Sequence, residues 1–402
     1  MNSWIEKSLG EILVLNYGKG LPEKKRIKGE FPVYGSNGIV GWHNEPFVNH
    51  RGLIVGRKGS AGNVHFSSKP FCPIDTTFFV TDKDTQLNLI FLYYLLLHIN
   101  LKRILGDVGV PGLNREMAYK ETALFPPKKS EQQKIAHVLS KVQQAIEHQE
   151  RIIQLTTELK RTLMHKIFTE GLRGEAQKQT EIGLVPDSWE VVRIGKYARV
   201  LNGYAFKSRD YISKGVWLIR ISNVSDGFLI NKDNKYLPEN FLSEKPDFAL
   251  KEGDLILSLT RPIIKTGMKY CFIEKKHLPA LLNQRVGKFE IIDKKLLKEY
   301  LYHIIFSPYF VEPLKIMAEG SNQPNVSPTR LENFLMPLPT EIEEQQQIAV
   351  LITNITKKIN IAKGKISSLN DLFRTLLHQL MTAQIRVHDI DLEALENMTD
   401  KE

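Results

Sequence analysis

EQQKIAHVLS, residues 131–140, returns as EQQQIAVLIT, residues 344–353. The offset of 213 residues continues without a gap to RTLMHKIFT (161–169) and RTLLHQLMT (374–382). Identities along it include Ile135/Ile348, Ala136/Ala349, Ile146/Ile359, Ile153/Ile366, Leu159/Leu372 and His165/His378. A shared helical period alone reproduces hydrophobicity, not the same EQQ and RTL at both ends, so the chain holds an internal repeat. A weaker echo at an offset of 185 sets Ser3, Trp4 and Gly10 against Ser188, Trp189 and Gly195. Each copy therefore reads as a variable block opened by Ser-Trp and followed by a constant segment. The block interiors barely match, and FPVYGSNGIVGWHN (31–44) has no evident counterpart in the second half. A common frame with divergent interiors suits two recognition modules for different targets; drift after duplication produces the same picture.

The constant segments have a helical period. In the second copy Ile348, Ile352, Ile355, Ile359, Ala362, Ile366, Leu369, Phe373, Leu376 and Leu380 follow 4-3-4-3 spacing, the apolar seam of a coiled coil. The first copy reads Ile135, Leu139, Val142, Ile146, Gln149, Ile153, Thr156, Lys160, Leu163 and Ile167, with Val138, Ala145, Ile152 and Leu159 widening the stripe. Proline stands upstream of each run, at Pro126-Pro127 and Pro337-x-Pro339, and within neither. At 1.5 Å per residue each helix is about 58 Å long. Seams of that length need cover, and two halves related by a pseudo-two-fold axis pack them antiparallel. The alternative is two separate helices, each docked on its own domain.

The fold class expected is α+β: two globular domains of mixed strands and helices, separated by two long antiparallel coiled-coil helices, in a pseudo-two-fold internal repeat. The first domain spans 1–128, its helix 129–172, a Gly- and polar-rich linker 173–185, the second domain 186–342, its helix 343–384, and an acidic tail 385–402. Strands are expected at Gly52–Gly56, Thr76–Val80, Trp217–Ile221, Leu255–Leu259, Tyr270–Ile273 and Val286–Ile292. Helices are expected near Leu87–Leu105 and Leu296–Phe306.

Composition bounds the function. A chain of 402 residues, 42% hydrophobic and 25% charged, is a folded protein of two or more domains. The longest apolar run, Leu89 to Leu97, is too short for a bilayer, and MNSWIEKSLG lacks the pattern of a secretory signal. Two cysteines, Cys72 and Cys271, stand in no CxxC pair, which argues against a disulfide framework or zinc site and for the cytoplasm. The net charge of +10 sits mainly in the two blocks. Residues 1–128 carry 16 Lys+Arg against 11 Asp+Glu, and residues 186–342 carry 23 against 18. Such an excess is compatible with nucleic acid and with a plain solvated surface.

The order of block, EQQ-x-I-A helix, linker, Ser-Trp block and second EQQ-x-I-A helix resembles the specificity subunits of type I restriction–modification enzymes. In the first block FPVYGSNGI (from Phe31), GLIVGRKGSAGNV (from Gly52) and DTTFFV (from Asp75) are similar to the family's target-recognition domains. In the second, NGYAFKS (from Asn202), LIRISNV (from Leu218), KEGDLILSLT (from Lys251) and NQPNVSP (from Asn322) are similar. The resemblance covers the chain up to about Arg386. It implies a bipartite double-stranded DNA target, each half read by one domain, and a complex with two methyltransferase subunits and, for restriction, motor-nuclease subunits. It also implies that S-adenosylmethionine, ATP and Mg²⁺ are used by those partners and not bound by this chain.

Two other readings fit parts of the sequence. Asp254 with Glu274-x-Lys276 mimics the carboxylate–carboxylate–lysine layout of a PD-(D/E)xK-like Mg²⁺ endonuclease, although such triplets arise by chance, as Glu158-x-Lys160 does within the helix. A coiled-coil adaptor without DNA affinity would share the repeat. No Asn-Pro-Pro-aromatic loop, HExxH, Gly-x-Ser-x-Gly or P-loop occurs, so no catalytic residue is assigned. Candidate DNA contacts in the first block are Lys24, Lys25, Arg26, Asn37, Arg57, Lys58, Asn114 and Arg115. In the second they are Lys207, Ser208, Arg209, Arg220, Asn223, Arg261, Arg285 and Gln323. Asn and Gln suit adenine edges and Arg suits guanine. The Lys24–Lys28 run reads equally as a solubility patch, and each Asn or Gln equally as a turn former.

Overall fold

The β-branched and aromatic runs of the first block pair into three small sheets in the computed structural model, which describes residues 4–105, 112–265, 267–318 and 325–390. The elements are β1 (Ile5–Ser8), α1 (Leu9–Ile12), β2 (Asn16–Tyr17), β3 (Phe31–Gly35), β4 (Gly38–His43), β5 (Gly52–Gly56), β6 (Val64–Ser67), β7 (Cys72–Pro73), β8 (Thr77–Thr81), α2 (Leu89–Ile99), α3 (Arg115–Lys120) and β9 (Thr122–Phe125). One antiparallel sheet has the order β2-β8-β5-β6. In a second, β3 pairs antiparallel with β4 and parallel with β7, and β1 pairs with β9. Every residue of β5 is buried, which is why GLIVG reads as a continuous apolar run rather than an alternating one. Asn88 begins α2 by accepting the Ile90 and Phe91 amides, and the helix lays Phe91, Leu92, Leu95 and Leu96 on Leu53, Val55, Phe78 and Val80.

After the long helix α4 (Lys129–Glu170) the second half holds β10 (Gln177–Thr180), β11 (Gly183–Pro186), β12 (Glu190–Arg193), β13 (Ala198–Asn202), β14 (Val216–Ile219), β15 (Lys235–Leu237), α5 (Asn240–Glu244), β16 (Leu255–Ser258), β17 (Ile263–Ile264), β18 (Gly267–Met268), β19 (Tyr270–Phe272), β20 (Ala280–Leu282), β21 (Val286–Ile291), α6 (Lys298–Ile305), α7 (Pro308–Ala318), α8 (Pro328–Glu332), β22 (Leu335–Leu338) and α9 (Ile342–Met381). Its sheets repeat those of the first block. The order β13-β21-β16-β19 matches β2-β8-β5-β6, and β12–β22 matches β1–β9. Strand β14, antiparallel to β15 and parallel to β20, matches β3. The counterpart that FPVYGSNGIVGWHN lacked by eye is therefore β14 with β15, whose residues are unlike it.

Where the sequences do agree, the structure gives the reason. Gly10 and Gly195 each lie under a helix: an added Cβ would stand 3.1 Å from the Tyr119 Cβ and 2.9 Å from the Glu332 Cβ. Gly18 and Gly203, also 185 apart, bond to Thr77 and Val286, and a Cβ there would sit 2.1 and 2.2 Å from backbone oxygens. The EQQ motif has one role in both copies. Gln132 is buried, accepts the Asn88 amide at 2.8 Å and donates to the Pro126 carbonyl at 2.9 Å. Gln345 accepts the Leu297 amide at 2.9 Å and donates to Pro339 and Lys295. Each glutamine thus ties the start of its long helix to the start of an earlier helix of its block, α2 or α6.

The chain divides into two compact units, Met1–Ile153 with Ile361–Glu402, and Gln154–Asn360. In the first, Ile135, Leu139, Val142 and Ile146 of α4 share a core with Leu380 and Met381 of α9, and with Leu369, Phe373 and Leu376 against it. In the second, Met164, Ile167 and Phe168 of α4 share a core with Ile348 and Ile352 of α9. The start of one helix meets the end of the other in both, so the pairing is antiparallel, and every seam position is buried or half-buried.

Three expectations are corrected. Leu159 does not widen the stripe; it is 58% exposed, because the seam passes through Thr156, Lys160 and Leu163. The stretch read as a linker contains the β10–β11 hairpin, whose turn Thr180 and Gly183 (φ +102°) close. The tail begins inside a core: Val387 is buried and Arg386 pairs with Glu131 at 3.3 Å, while residues 391–402 lie outside the described ones.

Candidate nucleic-acid interface

In the first block four loops meet at the end of β5. The Arg57 and Lys58 amides donate to the Thr76 carbonyl at 2.8 and 3.1 Å, and the Ser36 hydroxyl to the same oxygen at 2.6 Å. The Leu113 amide donates to the Arg57 carbonyl at 2.8 Å, and Lys58 bridges Gly112. Asn37, Arg57, Lys58, Asn114 and Arg115, scattered in sequence, are so drawn to one end of the sheets. Asn37 and Lys58 are exposed. Asn114 caps α3 by accepting the Glu116 and Met117 amides through its Oδ1. Tyr17, absent from the sequence candidates, joins them: the Arg57 and Arg115 guanidinium carbons stand 5.1 and 5.2 Å from its ring centre. No periodicity marks Tyr17; the adjoining Gly18, locked by its close approach, was the available signal.

Among the described residues no hydrogen bond ties Lys24, Lys25 or Arg26 to this cluster. Lys24 and Lys25 lie exposed on a short 3₁₀ turn, Glu23–Lys25. Arg26 is half-exposed, and its guanidinium donates to the Leu21 and Val40 carbonyls and ties that turn to β4.

The second block repeats the gathering with other residues. The Leu259 amide donates to the Arg285 carbonyl at 2.9 Å, and the Val326 amide to the Leu259 carbonyl at 2.8 Å. Thr260 donates to the Asn325 side chain at 2.6 Å. The Gln284 amide donates to the Tyr204 carbonyl, so Tyr204, Arg261 and Arg285 lie on adjoining loops. Arg261 is exposed at φ +49°, and Arg285 is exposed. Lys269, donating to the Ile221 carbonyl at 2.8 Å, has its pKa pulled down by burial and then by Arg261. Lys207, Ser208 and Arg209 form an exposed turn, with Arg209 3.7 Å from Asp210. Lys245, another residue missed in sequence, lies 4.5 Å from the Tyr204 ring centre.

Asn223 is corrected. It is fully buried; its Oδ1 accepts the Arg220 amide, and its Nδ2 donates to Ile230, Lys232 and Asn234, so it holds a loop together. Arg220 donates to the Asp233 carbonyl of that loop. Gln323 lies outside the described residues.

The carboxylates of the nuclease-like layout have local partners. Asp254 is buried, accepts the Lys251 amide at 2.9 Å and lies 3.8 Å from Lys298. Glu274 pairs with Lys276 at 2.9 Å, and that bond lowers its pKa. Both cysteines are free and buried; burial pushes the Cys271 thiol up to about 11. Among the described residues no helix is long and apolar enough to cross a membrane.

Two like-folded domains, each gathering cationic and amide side chains where its loops meet, and each built onto both long helices, define a paired-module protein. The chain belongs to the family described as type I restriction modification DNA specificity domain, which matches residues 1–157 and 186–371. It is 29% identical over 352 residues to the type I restriction enzyme MjaVIII specificity subunit of Methanocaldococcus jannaschii, covering 87% of this chain and 82% of that protein. It is 36% identical over 165 residues to the EcoAI specificity subunit of Escherichia coli, covering 41% of this chain and 28% of that protein. The fold is that of the type I restriction–modification S subunit from M. genitalium, with a TM-score of 0.68 at 15% identity, over 94% of this chain and 96% of that one.

Proposed function

We propose that this chain is the DNA-specificity subunit of a type I restriction–modification complex. Each block reads one half of a bipartite double-stranded target. The paired helices dock two methyltransferase subunits and, through them, the motor-nuclease subunits. The chain itself catalyses nothing and binds no cofactor; S-adenosylmethionine, ATP and Mg²⁺ serve the partners. The observation that carries this reading is the doubled module: one topology and one helix-anchoring glutamine, with different side chains at the gathered loops. Arg57, Lys58, Asn37, Asn114 and Arg115 serve the first half-site, and Lys207, Ser208, Arg209, Arg261 and Arg285 the second. The exposed lysines meet phosphates, so affinity should fall with salt.

The test replaces residues 186–342 by the equivalent block of another family member, in cells that also make the methyltransferase partner. Sequencing of methylated adenines should show one half of the target motif changed and the other kept. A change in both halves, or none, refutes the modular reading. A gel shift of the assembled complex showing no salt-sensitive DNA binding would make the chain an adaptor.

A further inference from the structure

We infer that Arg57 reads a guanine in the half-site of the first block, and that Tyr17 is the residue that holds it in reading position. This rests on the proposal that the gathered loops face DNA. A phosphate contact needs only a charge on a flexible stem, which Lys58 beside it supplies. Reading a base edge needs more: the planar guanidinium fork must present two donors to guanine O6 and N7 in one orientation.

Arg57 is fixed in that sense at every level. Its amide donates to Thr76 and its carbonyl accepts from Leu113, so the backbone is held from two sides. Its Nη1 donates to the Asp75 carbonyl at 3.2 Å. Its guanidinium carbon lies 5.1 Å from the Tyr17 ring centre and 6.0 Å from that of buried Phe78. Stacking of the cation on these rings confines the plane of the fork while the residue stays half-exposed. Tyr17 is 50% exposed, packs on Phe78 at 5.0 Å, and carries Arg115 at 5.2 Å as well, so one ring orders two guanidinium groups. The second block has no equivalent. Leu259, which accepts from Val326 as Arg57 accepts from Leu113, occupies the matching place and is buried. Guanine reading from this place therefore belongs to one half-site alone.

The experiment assembles the chain with its methyltransferase partner in cells and maps methylated adenines for the parent, Arg57→Lys, Arg57→Ala, Tyr17→Phe and Tyr17→Leu. Arg57→Lys keeps the charge and removes the fork. Discrimination at one G·C position of one half-site should drop about 5- to 150-fold, with the other half-site unchanged. Tyr17→Leu should blur that same position, and Tyr17→Phe, which keeps the ring, should restore it. A melting curve equal to the parent's separates this from unfolding, and Arg57→Lys stands as the independent variant if Tyr17→Leu folds poorly. An unchanged motif with slower methylation makes Arg57 a phosphate contact, which overturns this inference and leaves the site reading intact. A relaxed position that is not G·C, or relaxation in both half-sites, also overturns it. If Arg57→Ala changes neither motif nor rate, the loop cluster is not the DNA site, and both statements fall.

Discussion

Gln132 and Gln345 show what a repeated residue is for. Both are buried amides whose acceptor and donor ends close on backbone groups at the start of a helix. Buried backbone groups left unbonded cost about 1–3 kcal/mol each. Gln345→Leu has a similar size and strands the Leu297 amide and two carbonyls, so it should destabilise the second unit by about 2–4 kcal/mol. Urea unfolding followed by hydrogen exchange should place that loss around α6 and α9. The neighbouring exposed Gln346→Leu should change little; equal losses from both variants would count against the role given to Gln345. The repeat itself was legible in the sequence, but which of the two glutamines faces inward was not. Asn223 illustrates the converse. Its type suits a base edge, and only burial by its own loop, a tertiary fact, withdraws it.

At the scale of elements, the long helices and the apolar strands were legible because their periods are uninterrupted. GLIVG, LILS and both seams lie where expected, within a residue or two. FPVYG and GIVGWH do not read as strands because Gly and Pro break their alternation, and the loop cluster joins residues as far apart as Tyr17 and Arg115, which the pairing of β2, β8 and β5 and the bond from the Leu113 amide to the Arg57 carbonyl bring together. Docking of α2 and α6 on the long helices is also conserved in place and changed in chemistry. Tyr94 donates to Ser140 in the first unit; in the second, His303 lies 3.1 Å from both the Ala349 carbonyl and the Thr353 hydroxyl, and Thr353 matches Ser140 in the repeat. Burial lowers the His303 pKa to about 4 against the usual 6.5. The folded state thus holds a neutral ring that the unfolded chain protonates more readily. Stability from this group is whole above about pH 6.5 and declines as the pH falls towards 4, by at most about 3 kcal/mol. His65, His98 and His277 are shifted in the same direction. Denaturant midpoints between pH 7 and 4 should fall less steeply in His303→Gln, which keeps a donor and does not titrate. An identical slope would show that the His303 ring takes up its proton equally readily in the folded and the unfolded chain.

For the molecule as a whole, the division into units does not follow the repeat. Each unit takes one block, the leading part of that block's own helix and the trailing part of the other copy's helix. The seam residues Ile135, Leu139, Val142 and Ile146 are covered by α9 near Leu380 and Met381, with Val387 in the same core. A chain ending at Asn360 should therefore keep amide protection in β12 and β22, which lie wholly in the second unit, and lose it along residues 135–146. Equal protection at both places in that truncated chain would mean the first unit closes without its distal segment. The same arrangement governs how the protein is made. The first block leaves the ribosome first, yet the helix surface that completes its core lies more than 200 residues further on. At the usual pace of roughly 5–20 residues per second, that is a wait of about 10–40 seconds. Through that interval a stripe of isoleucine, leucine and valine on α4 is without its cover from α9, so the domain begun first is finished last.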